Sequence, residues 1–241
     1  MKTIHRLTLT FLLSCSWQAS AATVATQNLK GWVLPDGSGY AHEIFQAVVN
    51  ESELDLELSI QPLTRAIKNF QDKKVDCFLG GDQQIFRDLV GIDVLSSELF
   101  LRNNFVISTL KTHPMISSVD QLEGFTIGLE RGIDINILKD DFSKVEVREG
   151  LFANQLEMLK LGRIRAILGY YPDHKDIFDQ LHFDPKFVQY SYSDRLNCVV
   201  SESNKTLIER FNQGLKGIKQ KGIYQQIYKK YFGDLNLLQQ D

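Results

Sequence analysis

The sequence predicts an α/β protein built from two similar lobes. Patterns typical of helices alternate with short apolar strand patterns along most of the chain, which is the arrangement that forms parallel sheets. The strand patterns at residues 75–80 and 164–169 each follow a helix pattern and a basic turn, and each ends in glycine. Any two βα units share this outline, so the repeat supports the architecture alone.

The first part of the chain contains clear element patterns. Residues 29–34 predict an opening strand or loop, and residues 42–50 predict a helix with apolar residues on one face. Alternation at residues 54–60 predicts a half-buried strand, and Pro62 suits the start of a helix. The apolar run from Val75 then predicts a buried strand that stops at two glycines.

The remaining chain predicts more elements of both kinds. We expect irregular structure after Arg87, and a capping-box pattern at Ser118 opens a short helix that Gly124 ends. The other predicted elements are strands at residues 105–109, 125–129, 164–168 and 197–200 and helices around residues 135–139, 152–159, 207–218 and 223–232.

Composition and charge set broad limits. The chain has 241 residues, 43% hydrophobic and 24% charged, which is ordinary for a soluble globular protein of one large domain or two modest lobes. The net charge of −3 shows no excess of basic residues of the kind that binds nucleic acid, so we expect no nucleic-acid partner.

Residues 1–21 have the pattern of a cleaved signal peptide. Lys2 and Arg6 precede a short apolar run, and the alanine-serine-alanine of residues 19–21 is a small-residue cleavage site. Cys15 lies in a loose match to a lipid-attachment box, but Leu13 is bulky for its place there. We therefore predict an exported protein and favour simple secretion over a lipoprotein.

Two cysteines remain after the leader, Cys77 and Cys198. An even pair in an oxidising compartment can form a disulfide. Both lie in strand-like runs, where an isolated cysteine is most often a small buried hydrophobe. The sequence is therefore compatible with a disulfide and with two separate buried cysteines.

The end of the Val75 strand is the first candidate for a binding site. In open α/β sheets, ligands bind at the carboxyl ends of strands. Here two glycines are followed by a polar loop that ends at Arg87, whose positive charge could meet an incoming anion. The alternative is a plain surface arginine.

Several short motifs follow one another in a characteristic order and spacing. They are GYxxEI from Gly39, PLTRA from Pro62, KVD leading to Gly80 and Gly81, then Arg87, SELF from Ser97, DQLEG from Asp120, and GIYQQIYKKYFG from Gly222. Each motif is weak alone. Together they resemble those of the bacterial periplasmic solute-binding proteins of family 3, the amino-acid-binding type, over nearly the whole chain after the leader.

The resemblance implies a type II periplasmic-binding fold, with two α/β lobes of mixed sheets flanked by helices and two crossing strands as the hinge. It implies that residues 22–100 and 195–241 form lobe 1 and residues 101–194 form lobe 2. It also places Cys77 and Cys198 on neighbouring strands, although the sequence does not reveal the register that a bridge requires.

The resemblance also suggests site residues. Arg87 matches the arginine that clamps a ligand carboxylate, a role that suits the bidentate guanidinium. Trp32 matches an aromatic wall over the ligand, with a core aromatic as an equal alternative. Glu43 is expected to be structural, in the first turn of a helix. The predicted ligand-binding set is Arg87, Trp32, Gln84, Arg131, Gly81, Tyr170 and Glu130.

Some positions depart from the family pattern. Gln84 replaces the usual serine or threonine, and the loop of Glu130 and Arg131 lacks a hydroxyl residue, although backbone amides of the following helix could hold an anion. The usual acidic residue falls at Gly169 or Tyr170. A carboxylate-bearing solute with an aromatic or apolar part therefore fits at least as well as an α-amino acid.

These observations predict a periplasmic protein that captures a small carboxylate-bearing solute, an amino acid or a related compound, by lobe closure for an ABC-type importer. The alternatives are a ligand-binding partner of a membrane sensor and, more weakly, a dehydratase-like enzyme. The sequence has no nucleophile elbow, phosphate loop or HExxH motif, so we expect no enzyme. We expect a monomer without cofactor or metal, with a permease or receptor as its membrane partner.

Overall fold

The computed structural model describes residues 21–29, 32–130, 142–170, 180–184 and 190–233. The strands are β1 (Ala22–Gln27), β2 (Leu56–Gln61), β3 (Cys77–Leu79), β4 (Val94–Ser96), β5 (Leu101–Leu110), β6 (Thr126–Glu130), β7 (Glu146–Gly150), β8 (Ile167–Tyr170), β9 (Leu181–His182), β10 (Tyr190–Asp194) and β11 (Leu196–Val199). The helices are α1 (Tyr40–Ser52), α2 (Leu63–Gln71), α3 (Gln83–Val90), α4 (Phe152–Lys160), α5 (Glu202–Gln220) and α6 (Ile223–Phe232), with a 3₁₀ turn at Val119–Leu122.

The first sheet has the strand order β2-β1-β3-β11-β4. Strand β1 runs parallel to β2 and β3, whereas β11 runs antiparallel to β3 and β4. Helix α2 packs on β1 and β3, and α5 packs on β4 and β11. The mixed sheet with flanking helices confirms the predicted fold class for this lobe.

The second sheet has the order β10-β5-β8-β6-β7, with β9 paired to β5. Strand β6 runs parallel to β7 and β8, and α4 covers β6 and β8. The chain crosses between the sheets twice, from β4 to β5 and from β10 to β11, and the crossings are adjacent because Asp194 pairs with Leu101. Two lobes with a two-stranded hinge are thus confirmed, while the predicted lobe boundaries stay a prediction.

Helix α1 packs closely on α5. It buries Ile44, Phe45 and Val48, and a Cβ atom on Gly214 of α5 would lie 2.7 Å from the carbonyl oxygen of Val48. Only glycine lets the two helices approach to this distance.

Helix α1 is also tied to α6. The Glu43 carboxylate lies 2.6 Å from the Lys230 Nζ and accepts a hydrogen bond from the Tyr231 hydroxyl at 2.6 Å. Burial alone would raise the pKa of Glu43, but these two hydrogen bonds outweigh it and lower that pKa. Glu43 is therefore structural, as expected.

Other local predictions were confirmed with small shifts in their bounds. Pro62 immediately precedes α2, and the Ser118 capping box is formed with Gln121. Among the helices of the described ranges, none is both long and apolar enough to cross a membrane.

Two local predictions were wrong, and some strands were missed. Strand β1 was not predicted, and at residues 29–34, predicted as a strand or loop, Leu29 and Val33 form only an isolated bridge. The polar stretch before Arg87 is mostly the helix α3 rather than a loop, and β4 follows where irregular structure was expected. The edge strand β7 was not predicted. Residues 1–20, most of the predicted signal peptide, and the helix predicted around residues 135–139 lie outside the described residues.

Candidate ligand-binding site

The candidate site begins where β3 ends. Gly80 and Gly81 follow the strand with φ of 136° and 77°, the left-handed region that glycine adopts without a steric penalty. The side chain of Asp82 then caps α3 by accepting a hydrogen bond from the backbone N–H of Gln84 at 3.0 Å. This double-glycine turn therefore sets the direction in which α3 leaves the sheet.

The crossing from β10 to β11 holds the double-glycine turn. The Asp194 carboxylate accepts a hydrogen bond from the Gly81 N–H at 2.6 Å, and the Asn197 amide donates to the carbonyl oxygens of Gly80 and Gly81 at 2.8 and 3.0 Å. The Gly80 N–H donates to the Arg195 carbonyl oxygen at 3.0 Å. Because these hydrogen bonds end on the turn before α3, a displacement of the hinge segment would also move the start of α3.

Asp194 is fully buried in the hinge. Burial raises the pKa of Asp194 well above its usual range, and the hydrogen bond from Gly81 offsets only part of that effect.

Arg87 lies on α3, one turn beyond Gln84. Its side chain is 44% exposed, its Nη2 donates to the Gln84 Oε1 at 2.8 Å, and its Nη1 lies 3.9 Å from the Asp93 Oδ1. Gln84 in turn donates to the Asp88 carboxylate at 2.9 Å. The structure thus brings two predicted site residues into direct contact and leaves the arginine accessible to solvent.

A cavity of about 470 Å³ adjoins this pair. Its lining includes Gln84 and Arg87 from α3 and Ser97 and Arg195 from the two hinge segments. The Arg195 Nη1 donates to the Ser97 carbonyl oxygen at 2.7 Å, and its Nε lies 3.7 Å from the Asp82 carboxylate. An anion entering the cavity would therefore meet two guanidinium groups, each with a distant carboxylate partner, and the acidic residues Asp82 and Glu98.

The hinge residues Asp194, Arg195 and Asn197 were missed by the sequence reasoning. One signal was available, because an aspartate, an arginine and an asparagine interrupt a run that otherwise predicts a buried strand. Polar residues inside such a run must find hydrogen-bond partners, and here the partners are the double-glycine turn and the neighbouring hinge segment.

The other predicted site residues lie elsewhere. Trp32 is only 4% exposed, packs in the apolar core and does not line the cavity beside Arg87, which favours the core alternative. Glu130 ends β6 in the second sheet and is 7% exposed. Tyr170 ends β8, but its side chain lies outside the described part of the chain, and so does Arg131.

Cys77 and Cys198 form a disulfide with an S–S distance of 1.98 Å. They are directly paired in the register of β3 and β11, and both are fully buried. The structure thus contains the disulfide whose presence the sequence alone did not decide. It fixes the strand before the double-glycine turn to the strand after the hinge.

Within the described ranges, no cluster of histidine, cysteine, aspartate and glutamate could hold a metal ion. The cavity at the hinge combines hydrogen-bond donors with two arginines, Arg87 and Arg195, and two acidic residues, Asp82 and Glu98. Such a site can hold an anion and can respond to movement of the lobes.

Fold and site together define a two-lobed α/β binding protein of the type II periplasmic class. Residues 106–234 match the family model of the bacterial extracellular solute-binding proteins, family 3. The match covers more than half of the chain, so the chain belongs to this family.

Known relatives agree with this assignment. The arginine-binding periplasmic protein of Mannheimia haemolytica is 24% identical over 212 residues, which cover 81% of this chain and 82% of that protein. The arginine-, lysine-, histidine-binding protein ArtJ from Geobacillus stearothermophilus has a TM-score of 0.66 at 21% identity, covering 91% of this chain and 100% of that one. The VFT2 domain of Bordetella pertussis BvgS has a TM-score of 0.69 at 16% identity, covering 88% and 93%. The likenesses to solved structures show the fold.

Proposed function

We propose that this protein captures a small carboxylate-bearing solute, an amino acid or a related compound, by closure of its two lobes. The observation that carries the proposal is the Arg87–Gln84 pair on α3, beside a cavity of about 470 Å³ that the hinge also lines. That volume is in the range of small-molecule sites. The half-exposed guanidinium offers a bidentate fork to a carboxylate.

The relatives and the residues expected to face Arg87 limit the chemical class of the solute. Relatives that bind arginine, or arginine, lysine and histidine, support an amino-acid-class ligand. Gly169 and Tyr170 end β8 in place of an acidic residue, so the end of this strand supplies no carboxylate for a ligand ammonium. We therefore extend the ligand class to carboxylates with an aromatic or apolar part.

Closure would bring residues of the second lobe onto the bound solute. Glu130 and Tyr170 end β6 and β8, and Arg131 follows Glu130 in the sequence. We assign these three residues, with Gly81, to the closed site. The case for Trp32 as a ligand contact is weaker, because its side chain is buried in the core. The hydrogen bond from Gly81 to Asp194 would transmit the closing motion to α3.

We further propose a monomer that acts in the periplasm after cleavage of residues 1–21 and delivers its solute to an ABC-type permease. A sensory role is the second candidate, because the BvgS VFT2 domain shares the fold with a TM-score of 0.69. Uptake of labelled solute by a deletion strain separates the two roles. Lost uptake supports import, whereas normal uptake with a lost transcriptional response supports sensing.

Native mass spectrometry of the gently purified protein tests the proposal by weighing a retained ligand. With that ligand in hand, Arg87→Ala should abolish its stabilising effect in a thermal-shift assay, because a charged hydrogen-bonding partner is removed. Stabilisation at a hundredfold excess over Kd is about 2.7 kcal/mol, which such an assay resolves easily.

Arg148→Ala is the matched control, since Arg148 is an exposed arginine that bonds to Glu146 on the same strand. An Arg87→Ala variant that keeps the full thermal shift would remove Arg87 from the site. Turnover of a cyclic acid by the parent protein would favour the enzyme alternative instead.

A further inference from the structure

A second cavity, of about 360 Å³, lies at the opposite edge of the second sheet. Its walls are residues 124–126, which lead into β6, residues 162–165, which precede β8, and His113 from the turn after β5. Glu130 and Tyr170 stand at the other ends of the same strands. This outer cavity is therefore separate from the proposed ligand site.

Two arginines give the outer cavity positive charge. Arg163 and Arg165 line it together with His113, and no acidic residue of the described ranges does. Within the described ranges, the side chains of Arg163 and Arg165 form no ion pair. The Arg165 guanidinium lies 5.5 Å from the centre of the Phe125 ring, and its buried Nε has no hydrogen-bond acceptor among the described residues. Because this Nε is fully buried, an anion in the cavity would bind the other nitrogens of the guanidinium, with which no described carboxylate is paired.

A carboxylate beside the cavity, that of Glu146, already has partners. Thr126 lines the cavity and its hydroxyl donates to Glu146 at 2.9 Å. Arg148 donates two hydrogen bonds to the same carboxylate, at 3.0 and 2.8 Å, and these hydrogen bonds lower the pKa of Glu146. Glu146 is therefore paired within its own strand and leaves the charge of the cavity arginines in place.

The two arginines project from a fixed backbone. The Arg163 N–H donates to the Met158 carbonyl oxygen at 2.9 Å, and the Arg165 N–H donates to the Thr126 carbonyl oxygen at 2.8 Å. Ile164, between them, is buried, as is Leu159 in the cavity wall. A site on such a backbone binds with a smaller entropic penalty than one on a loose loop.

We propose that the outer cavity is a second binding site, for an oxyanion of the phosphate type. The oxygens of a phosphate group are arranged tetrahedrally, so the two guanidinium groups and the imidazole can each reach one from a different direction, whereas the two oxygens of a carboxylate lie in one plane. The group can belong to a soluble phosphate or to a phospholipid headgroup. The proposal is independent of the solute bound near Arg87.

Isothermal titration calorimetry with inorganic phosphate, at constant ionic strength in chloride, tests the proposal. We expect saturable binding that Arg163→Ala weakens about tenfold or more. Arg163→Lys should also weaken it, because lysine keeps the charge but loses the fork. Since the Arg163 side chain makes no described contact that holds the fold, both variants should melt at the parent temperature without phosphate.

Two further variants locate the bound anion. Arg210→Ala should bind phosphate like the parent, because Arg210 does not line the outer cavity and its guanidinium donates to the carbonyl oxygens of Ser52 and Glu53 in the first lobe. Phosphate binding that persists in Arg163→Ala and disappears in Arg87→Ala would place the anion in the other site and overturn the proposal.

Cosedimentation with phosphatidylglycerol-containing and pure phosphatidylcholine vesicles separates the two sources of the phosphate group. Association with the anionic vesicles alone that is lost in Arg163→Ala supports a lipid headgroup. Phosphate binding in solution without vesicle association supports a soluble ligand. If neither phosphate nor anionic vesicles bind in an Arg163-dependent way, the proposal is wrong.

Discussion

Asp194 shows how a single residue can connect the hinge to the candidate site. It ends β10, is fully buried, and holds the Gly81 N–H at 2.6 Å, so its carboxylate lies between the crossing segment and α3. Burial raises the pKa of this group because a charged carboxylate has lost its water. The hinge therefore contains an acid whose ionisation opposes folding.

Asp194→Asn should stabilise the protein increasingly as the pH rises above about 4, the ordinary aspartate range. Below that range the carboxyl is protonated in both states and contributes no pH dependence. Above it the unfolded state releases its proton first, because the folded pKa is raised, so the stability of the parent falls as the pH rises. The amide oxygen of asparagine can still accept the Gly81 hydrogen bond and does not titrate.

Urea unfolding of parent and variant at pH 4 and pH 8 measures this difference. Asp120→Asn is the control for an aspartate-to-asparagine substitution at an exposed position. A difference between Asp194→Asn and the parent that is the same at both pH values would contradict the raised pKa.

At the scale of elements, hydrophobic periodicity predicted the helices that pack an apolar face against the rest of the protein. The helices α1, α4, α5 and α6 each bury apolar residues along one face, so their patterns were visible in the sequence. The edge strand β7, EVREG, is mostly exposed and charged, and such a strand has no apolar alternation to detect. The helix α3 is short, and its cap at Asp82 depends on the turn before it.

The candidate site was predictable only in part. The sequence indicates Arg87, Gln84 and Gly81 because they follow the carboxyl end of a predicted buried strand. Their contacts with the hinge depend on the register of β11 against β3, and the Asn197 amide reaches back 117 residues to Gly80. Local sequence patterns carry no information about a register set over such a separation.

The disulfide between β3 and β11 is expected to contribute strongly to stability. It joins residues 121 positions apart, and a loop of this length corresponds to about 5 kcal/mol in the chain-entropy model. Replacing both cysteines, Cys77→Ala with Cys198→Ala, should lower the free energy of unfolding by about 2–5 kcal/mol. Urea unfolding of the double variant measures the loss.

Alkylation provides the accompanying check on the bridge. In the denatured but unreduced mature protein, Cys77 and Cys198 should both be protected from alkylation, and both should react after reduction. Two free thiols before reduction, with no change in melting temperature on adding reductant, would show that the bridge is absent in the protein as isolated.

At the scale of the whole molecule, two sheets are joined by two adjacent crossings. The apolar core is continuous across them, since the largest cluster of buried side chains includes Phe45 in the first lobe, Phe105 on β5 and Leu168 in the second lobe. Relative movement of the lobes must therefore occur by bending at residues 97–100 and 195 rather than by separating two independent cores. A hinge of this kind permits closure while the disulfide keeps the first sheet intact.

Closure predicts that the ligand identified by mass spectrometry reduces the radius of gyration in solution. Small-angle X-ray scattering of ligand-free and saturated protein should show the decrease. Arg87→Ala at the same ligand concentration should keep the open value, because the guanidinium that holds the carboxylate to α3 is missing. Arg148→Ala should contract like the parent. A ligand that raises the melting temperature of the parent but leaves its radius of gyration unchanged would show that binding occurs without closure, and the site would then be complete within the first lobe.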